Sequence, residues 1–299
     1  MVRAEAASRL RLLSTHPLTW LDVFTDTPLA GNGLAVVHDA DALDDAAMLA
    51  FARETRLSET SFIQSPTSDG ATYRNRIWTV GRELRLAGHP SLGAAAAEAR
   101  VRGERRASYV QQTPAGLQPV DVELRAGGRV ARAEMLQEPA QFLAEVDPER
   151  VARECGLTTA DLHPQLRPQF VATGVPQLIV PLVDRDALAR ARTGDGASLA
   201  ALIAEGDGIV VYMAVVGDDG EGWARAFFAE GPVAVEDPAT GSAVGPLCAY
   251  LDRYAGISSI TVAQGAEIGR PSRLDARVDG DRVRVGGDCV ILMTGEVSL

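Results

Sequence analysis

Two glycine-led turns decide how this chain folds: Ala87-Gly88-His89-Pro90-Ser91-Leu92-Gly93 and Asp237-Pro238-Ala239-Thr240-Gly241-Ser242-Ala243-Val244-Gly245. Each turn opens a predicted helix of small residues, and Gly88 and Gly241 are 153 residues apart in a chain of 299. A spacing of about half the chain indicates two related halves. Because small residues let other backbone pack closely on every side, each helix is expected to run through a strand-rich shell.

The rest of the chain is mostly short strands with turn residues between them. Alternating or apolar runs predict strands, for example over Leu18–Phe24, whereas Asp44 is predicted to cap a helix that ends near Arg56. The fold class is therefore α+β, with two barrel-like halves over residues 18–136 and 137–299. The polar stretch Gln137–Gln141 is the predicted boundary, and the last strands could cross back to the first half.

Composition is that of an ordinary soluble globular protein, with 46% hydrophobic and 23% charged residues. The formal charge of −11 argues against nucleic acid or an anionic membrane as partner, because both bind basic surfaces. The stretch Met1–Pro17 lacks the apolar core of a signal peptide and is interpreted as a poorly ordered leader. Three scattered cysteines make no disulfide framework, so a cytoplasmic location is expected.

Missing residue types exclude several kinds of chemistry. All 29 basic residues are arginine, so neither a Schiff-base lysine nor a phosphate-binding Gly-Lys-Ser/Thr loop is possible. The four histidines and three cysteines show no metal-ligand spacing. Neither a structural zinc nor a cofactor attached to lysine is expected, although counting residues leaves a magnesium site made only of carboxylates open.

The two turns themselves indicate the kind of ligand. A helix N-terminus presents unpaired N–H groups and a partial positive charge, which favour an anion. Two such termini beside ionisable and hydroxyl groups favour one cleft that holds a small carboxylate between the halves. This arrangement suits an enzyme that moves a proton on a small acid.

Two candidate residues for that proton transfer come from the first half. Glu59 enters a predicted strand, where partial burial would raise its pKa toward neutrality, although a surface glutamate at a strand edge is the plainer interpretation. His89 follows Gly88, and a helix N-terminus keeps an imidazole neutral. A capping or packing histidine is the alternative.

The second half contributes the most informative stretch, Glu236-Asp237-Pro238-Ala239-Thr240-Gly241-Ser242. Gly241 would let backbone N–H groups approach a ligand, with the Ser242 hydroxyl beside them, whereas a helix cap using Asp237 or Thr240 is the alternative. Asn32 in Gly31-Asn32-Gly33 could bind substrate or simply occupy a left-handed turn.

Thiol chemistry is not favoured, because the three cysteines lie away from both turns. They are interpreted as small buried hydrophobes: Cys155, Cys248 and Cys289.

Taken together, these segments resemble the PhzF-like phenazine biosynthesis family of isomerases, which share the diaminopimelate epimerase-like fold. The resemblance runs from about Leu21 to Val297. The matching motifs are Asp22-Val23-Phe24-Thr25, Gly31-Asn32, Leu57-Ser58-Glu59-Thr60, Glu83-Leu84, Ala87-Gly88-His89-Pro90, Glu236-Asp237-Pro238-Ala239-Thr240-Gly241-Ser242-Ala243, Gln264-Gly265 and Gly269-Arg270-Pro271-Ser272.

The resemblance implies two similar barrels, each around a central helix, with the active cleft between them. It places the general acid/base of the family on Glu59 and the supporting catalytic groups on His89, Asp237 and Ser242. Gly88 and Gly241 would supply backbone donors to the substrate. The family uses no metal or organic cofactor, and many members are homodimers.

Three departures from the family pattern leave the substrate open: Gly33, Trp78 and Arg85 stand where other residues are usual. The expected activity is a cofactor-independent isomerase or epimerase for a small carboxylate-bearing, amino-acid-like metabolite of bacterial secondary metabolism. One alternative is a lyase or hydrolase that begins with the same proton abstraction. Another is a binding protein that keeps the fold without turnover.

Overall fold

The computed structural model describes residues 14–299. Its seventeen strands are β1 Thr15–Val23, β2 Asn32–Val37, β3 Glu59–Gln64, β4 Tyr73–Trp78, β5 Glu83–Leu84, β6 Arg106–Thr113, β7 Gly116–Leu124, β8 Val130–Leu136, β9 Gln141–Glu145, β10 Gln169–Ala172, β11 Pro176–Pro181, β12 Val211–Val216, β13 Glu221–Glu230, β14 Val233–Asp237, β15 Ser259–Gln264, β16 Ser272–Asp279 and β17 Arg282–Ser298. The α-helices are α1 Asp45–Thr55, α2 Gly88–Arg102, α3 Pro148–Glu154, α4 Arg185–Arg190, α5 Gly196–Ala204 and α6 Gly241–Ala255.

The first half is a closed barrel around α2. Strand neighbours run β1, β2, β3, β4, β6, β7, β8 and β17, and β17 pairs with β1 to close the ring. Helix α2 contacts all eight of these strands, and residues 88–99 are buried. The small side chains permit this fit, since a Cβ added to Gly93 would lie 2.5 Å from Leu34 Cδ2.

The second half repeats the same sequence of connections around α6. In each half an antiparallel strand pair is followed by a parallel crossover through helix, then by two antiparallel pairings that lead into the central helix. The strand after that helix is again parallel to the strand two before it, as β6 is to β4 and β15 to β13. The predicted α+β architecture of two similar halves, each enclosing a helix, is confirmed.

Strand β17 belongs to both halves. Its first residues pair with β16 of the second half, its middle pairs with β8, and its end pairs with β1. The division of the chain between residues 136 and 137 stays a prediction. The linking segment is not a polar surface stretch throughout, because the Gln137 amide is buried and donates to the Gly241 carbonyl at 3.0 Å.

The first strand begins earlier in the chain than the sequence predicts. The leader interpretation of Met1–Pro17 is wrong for its last residues, because Thr15 begins β1 and His16 is buried. Its first thirteen residues lie outside the described part of the chain. Within residues 14–299, no helix combines the length and the apolar character needed to cross a bilayer.

Candidate active site

The N-termini of the two central helices lie against each other. A Cβ added to Gly88 would lie 2.9 Å from the Ser242 nitrogen and 3.2 Å from Gly241 Cα, so only glycine permits this approach. Neither N-cap residue, Ala87 or Thr240, caps its helix with a side chain. The helix-cap interpretation of this turn is therefore wrong, and first-turn N–H groups from both halves are left for an anion.

Glu59 is the first residue of β3 and faces inward, on the same side of the strand as Ile63. Its Oε2 lies 3.4 Å from His89 Nε2, and neither of these buried atoms has a hydrogen-bond partner. Burial, reinforced by the nearby Asp237 charge, raises the pKa of Glu59 to about 7 against a hydrogen bond from Ser58. A carboxyl group with this pKa both accepts and returns protons near neutral pH.

His89 is held neutral beside that carboxyl group. Burial lowers its pKa to about 3, and a hydrogen bond with the backbone of Gly33 only partly opposes the effect. Its position in the first turn of α2 also disfavours a positive charge. A neutral imidazole next to Glu59 serves as a hydrogen-bonding group and not as a cation.

Asp237 ends β14 and reaches the same region from the second half. Its Oδ1 accepts from Asn32 Nδ2 at 3.0 Å, and its Oδ2 accepts from Thr240 Oγ1 at 2.6 Å. Burial raises the pKa of Asp237 to about 6, although both hydrogen bonds act to lower it. The Asn32 Oδ1 accepts from Ser58 Oγ at 3.2 Å, so Asn32 links the segment before Glu59 to Asp237.

The left-handed turn interpretation of Asn32 is wrong. The residue with positive φ is Gly31, at +67°, whereas Asn32 begins β2 with a buried side chain. A Cβ on Gly31 would lie 2.3 Å from the Val23 carbonyl oxygen. Gly31 therefore makes the turn, and Asn32 is left to bridge the halves.

Two glutamines in the site were not singled out by sequence reasoning. Gln264 Nε2 donates to the Asp237 carbonyl at 2.8 Å and to Thr240 Oγ1 at 3.0 Å, which fixes the turn before α6. Gln264 appeared in a matching motif, but nothing there indicated its role. Gln177 Nε2 donates to Ser242 Oγ at 3.3 Å, and no local pattern marked it.

The halves contribute different ionisable groups to this single site. Glu59 lies beside Leu34 across β2 and β3. Leu84 and Asp237 each lie four residues before the first glycine of a central helix. The strand pairings from Leu84 through Ile77 to Ser61, and from Asp237 through Ala226 to Tyr212, make Ser61 equivalent to Tyr212. The inward-facing Val210, two residues before Tyr212, therefore takes the place of Glu59, which lies two residues before Ser61. Conversely, the first half has the apolar Leu84 at the position equivalent to Asp237, 153 residues earlier in the chain. The second half therefore has no base at the position equivalent to Glu59.

The other candidate groups lie elsewhere. All three cysteines are buried, and burial raises the pKa of each to about 12, in agreement with their interpretation as small hydrophobes. Trp78 packs with Val37 and Phe62 on the outer side of β3 and β4, and Arg85 is exposed. Among residues 14–299, no three His, Cys, Asp or Glu side chains group as metal ligands.

Comparison with known proteins gives the family. The model of the phenazine biosynthesis-like protein family, PhzC-PhzF, matches residues 21–295. An uncharacterised isomerase of Mesorhizobium japonicum is 33% identical over 95% of this chain and 99% of its own. The trans-2,3-dihydro-3-hydroxyanthranilate isomerase of Pseudomonas chlororaphis is 32% identical over 95% of this chain and 100% of its own.

A solved structure agrees with these relatives. A predicted epimerase of Pseudomonas aeruginosa superimposes with a TM-score of 0.81 at 37% identity, covering 94% of this chain and 99% of that one. The two-barrel architecture is thus the epimerase-like fold, and the named relatives are isomerases. The chain therefore belongs to the PhzC-PhzF family of phenazine biosynthesis-like proteins and is an isomerase.

Proposed function

We propose that this isomerase moves a proton on a small, amino-acid-like carboxylate without a cofactor. The observation that supports this most strongly is the Glu59 carboxyl group, whose pKa is raised to about 7 and whose Oε2 has no hydrogen-bond partner. It lies beside two helix N-termini that would bind the substrate carboxylate. Acid/base and anion-binding groups therefore meet at one place.

In the proposed reaction, the substrate carboxylate binds the first-turn N–H groups near Gly88 and Gly241 and the Ser242 hydroxyl. Glu59 takes a proton from a carbon conjugated to that carboxylate, and the C–H electron pair delocalises toward the carboxylate. Glu59, now a carboxylic acid, returns the proton to a second carbon or to the opposite face. The substrate and the product have the same atoms and the same charge, so no oxidant or reductant is consumed.

The other groups hold the substrate and the base. Asp237, with a pKa near 6, is mostly ionised at neutral pH and would accept a hydrogen bond from a substrate amino group. Neutral His89 would hydrogen-bond within the cleft. Because Val210 stands where a second base would be, Glu59 is proposed to serve as both base and acid.

The test replaces Glu59 with Gln, which keeps the shape of the side chain and removes its basicity. Turnover of trans-2,3-dihydro-3-hydroxyanthranilate, and of a panel of small amino acids, is followed by NMR in D₂O. For whichever acid the wild type converts, kcat should fall by roughly 10² to 10⁴ with little change in KM. Glu54→Gln, on the exposed side of α1, is the matched control and should keep full activity.

A Glu59→Gln protein that turns over at the wild-type rate would exclude Glu59 as the base, and Asp237 would become the candidate. Asp237→Asn should instead weaken binding as well as turnover, because Asp237 is proposed to hold the substrate.

A further inference from the structure

Gln177 is a completely buried polar residue of β11 that lies beside the N-terminus of α6. It faces inward on β11, on the same side as Ile179, and its Nε2 donates to Ser242 Oγ at 3.3 Å. Its other polar atom, Oε1, is buried and has no partner. A buried acceptor without a partner is destabilising, so this side chain needs an explanation.

The barrel itself does not require a glutamine here. In the first half Leu34 lies beside Glu59. In the second half Leu178 lies beside Val211, which places the preceding residues Gln177 and Val210 next to each other, so Gln177 and Leu34 occupy equivalent positions. Leu34 packs against α2, where a Cβ on Gly93 would meet its Cδ2. An apolar residue therefore fills this position well in the same fold. The glutamine of the second half must serve something other than packing.

The hydrogen bond from Gln177 affects what the Ser242 hydroxyl can bind. A hydroxyl oxygen that accepts a hydrogen bond from an amide keeps its own proton for another acceptor. Ser242 lies in the first turn of α6, where N–H groups favour an anion. Gln177 would thus leave the Ser242 proton to the substrate carboxylate.

The unpartnered Oε1 of Gln177 also lies close to Ser242. Oε1 is bonded to the same carbon as Nε2, so it lies within about 2.3 Å of the group that contacts Ser242. The turn just before β11 also borders the first half, since a Cβ on Gly174 would lie 3.9 Å from Leu86 Cδ2. Ser242, which Gln177 contacts, lies against the first half, since a Cβ on Gly88 would be 2.9 Å from the Ser242 nitrogen. The unpartnered acceptor is therefore next to a residue of the junction where the substrate carboxylate is proposed to bind.

We propose that Gln177 is a specificity-determining residue that recognises an amino group next to the substrate carboxylate. Its Nε2 holds Ser242 as a donor to the carboxylate, and its Oε1 accepts from the N–H of the neighbouring amino group. The substrate class is then a carboxylate with an adjacent N–H donor, in preference to a plain carboxylate. This inference rests on the proposed function, which places the carboxylate at Ser242.

The experiment measures binding without turnover, using 2-aminobenzoate and benzoate as probes in isothermal titration calorimetry. Wild-type protein should bind 2-aminobenzoate about tenfold more tightly than benzoate, as expected when one buried acceptor is satisfied. Gln177→Leu, which copies Leu34, should lower this preference to less than twofold and weaken benzoate binding severalfold. Gln177→Glu, which offers Ser242 only acceptors, should weaken both probes further.

Gln118→Leu is the matched control, because Gln118 is also a buried barrel glutamine and accepts from Gln111 Nε2 at 2.9 Å. It should keep the tenfold preference, and thermal unfolding establishes that each variant is folded. An unchanged preference in folded Gln177→Leu would overturn the proposal, as would wild-type protein that binds neither probe or shows no preference. An intact preference without any isomerase activity would overturn only the proposed function.

Discussion

At the scale of single residues, the site depends on two carboxyl groups that burial makes harder to ionise. The pKa of Glu59 rises to about 7 and that of Asp237 to about 6, and the Asp237 charge contributes to the shift of Glu59. Since the groups interact, the two proton losses expected near these values belong to the pair. The pair therefore still exchanges a proton near neutral pH.

The raised pKa of Glu59 predicts how stability depends on pH. Protonated Glu59 favours the folded state, so its contribution is complete below pH 4.5 and is lost as pH rises through about 7. Glu59→Gln cannot ionise and should be more stable than wild type at pH 8 by roughly 3 kcal/mol, with little difference at pH 4.5. Urea unfolding at both pH values measures this, and a difference that does not change with pH would contradict it.

At the scale of elements, the two central helices determine the width of the site. Their first residues, Gly88 and Gly241, approach so closely that a side chain on either would overlap its neighbours. Phe24 adds to this crowding, since its Cζ would lie 2.7 Å from a Cβ on Gly241. Phe24 itself has a φ of +64°, an unfavourable backbone conformation for a bulky residue. The contact between the helices is thus maintained by small residues and by a strained loop.

Gly88→Ala tests this contact. The added Cβ would meet the backbone of Ser242 at 2.9 Å, so the helix N-termini must separate by a few tenths of an ångström. We expect kcat/KM to fall about a hundredfold and stability to fall by about 1 to 3 kcal/mol. Gly295→Ala, whose Cβ would meet nothing within 4 Å, is the control and should change neither. Wild-type kcat/KM in Gly88→Ala would show that the site tolerates a wider gap.

At the scale of the whole molecule, groups far apart in sequence join the halves. Strand β17 pairs with β16 and then with β1, so the first barrel is closed by the end of the chain. Next to this junction, Arg270 Nη2 donates to Asp22 Oδ1 at 2.6 Å and its Nε donates to the Gly31 carbonyl at 2.8 Å. The Asp22 side chain is only 2% exposed, and its Oδ2 also accepts from the Leu29 N–H at 2.7 Å, so Arg270 is the cation that faces this buried carboxylate.

Arg270→Met should therefore destabilise the protein by about 2 kcal/mol, because it leaves a buried carboxylate without its cation. The midpoint of thermal unfolding should fall by roughly 5 °C. Arg273→Met removes a 66% exposed arginine that lies 3.4 Å from Glu221, and it should change the midpoint by less than 1 °C. Equal effects of the two substitutions would mean that the Asp22 pair does not hold the halves together.

The central helices could be predicted from the sequence, because runs of small residues and the glycines before them are local features. Asp44 as an N-cap was likewise predictable and is confirmed, since its side chain accepts from the Ala47 N–H at 2.9 Å. Three candidate residues, His89, Asp237 and Ser242, lie within four positions of one of these glycines, whereas Glu59 and Asn32 belong to short motifs of their own. The halves could be inferred from the spacing of Gly88 and Gly241.

Which groups meet, and how strongly each is ionised, could not be predicted without the three-dimensional fold. Asn32 and Asp237 are 205 residues apart, and strand pairing over such separations leaves no local periodic signal. The pKa of Glu59 depends on burial by elements from both halves, and the role of Gln177 depends on a neighbour 65 residues away. Local patterns specify which segments form helices and strands, whereas desolvation and hydrogen-bond partners are set by where the folded chain brings those segments together.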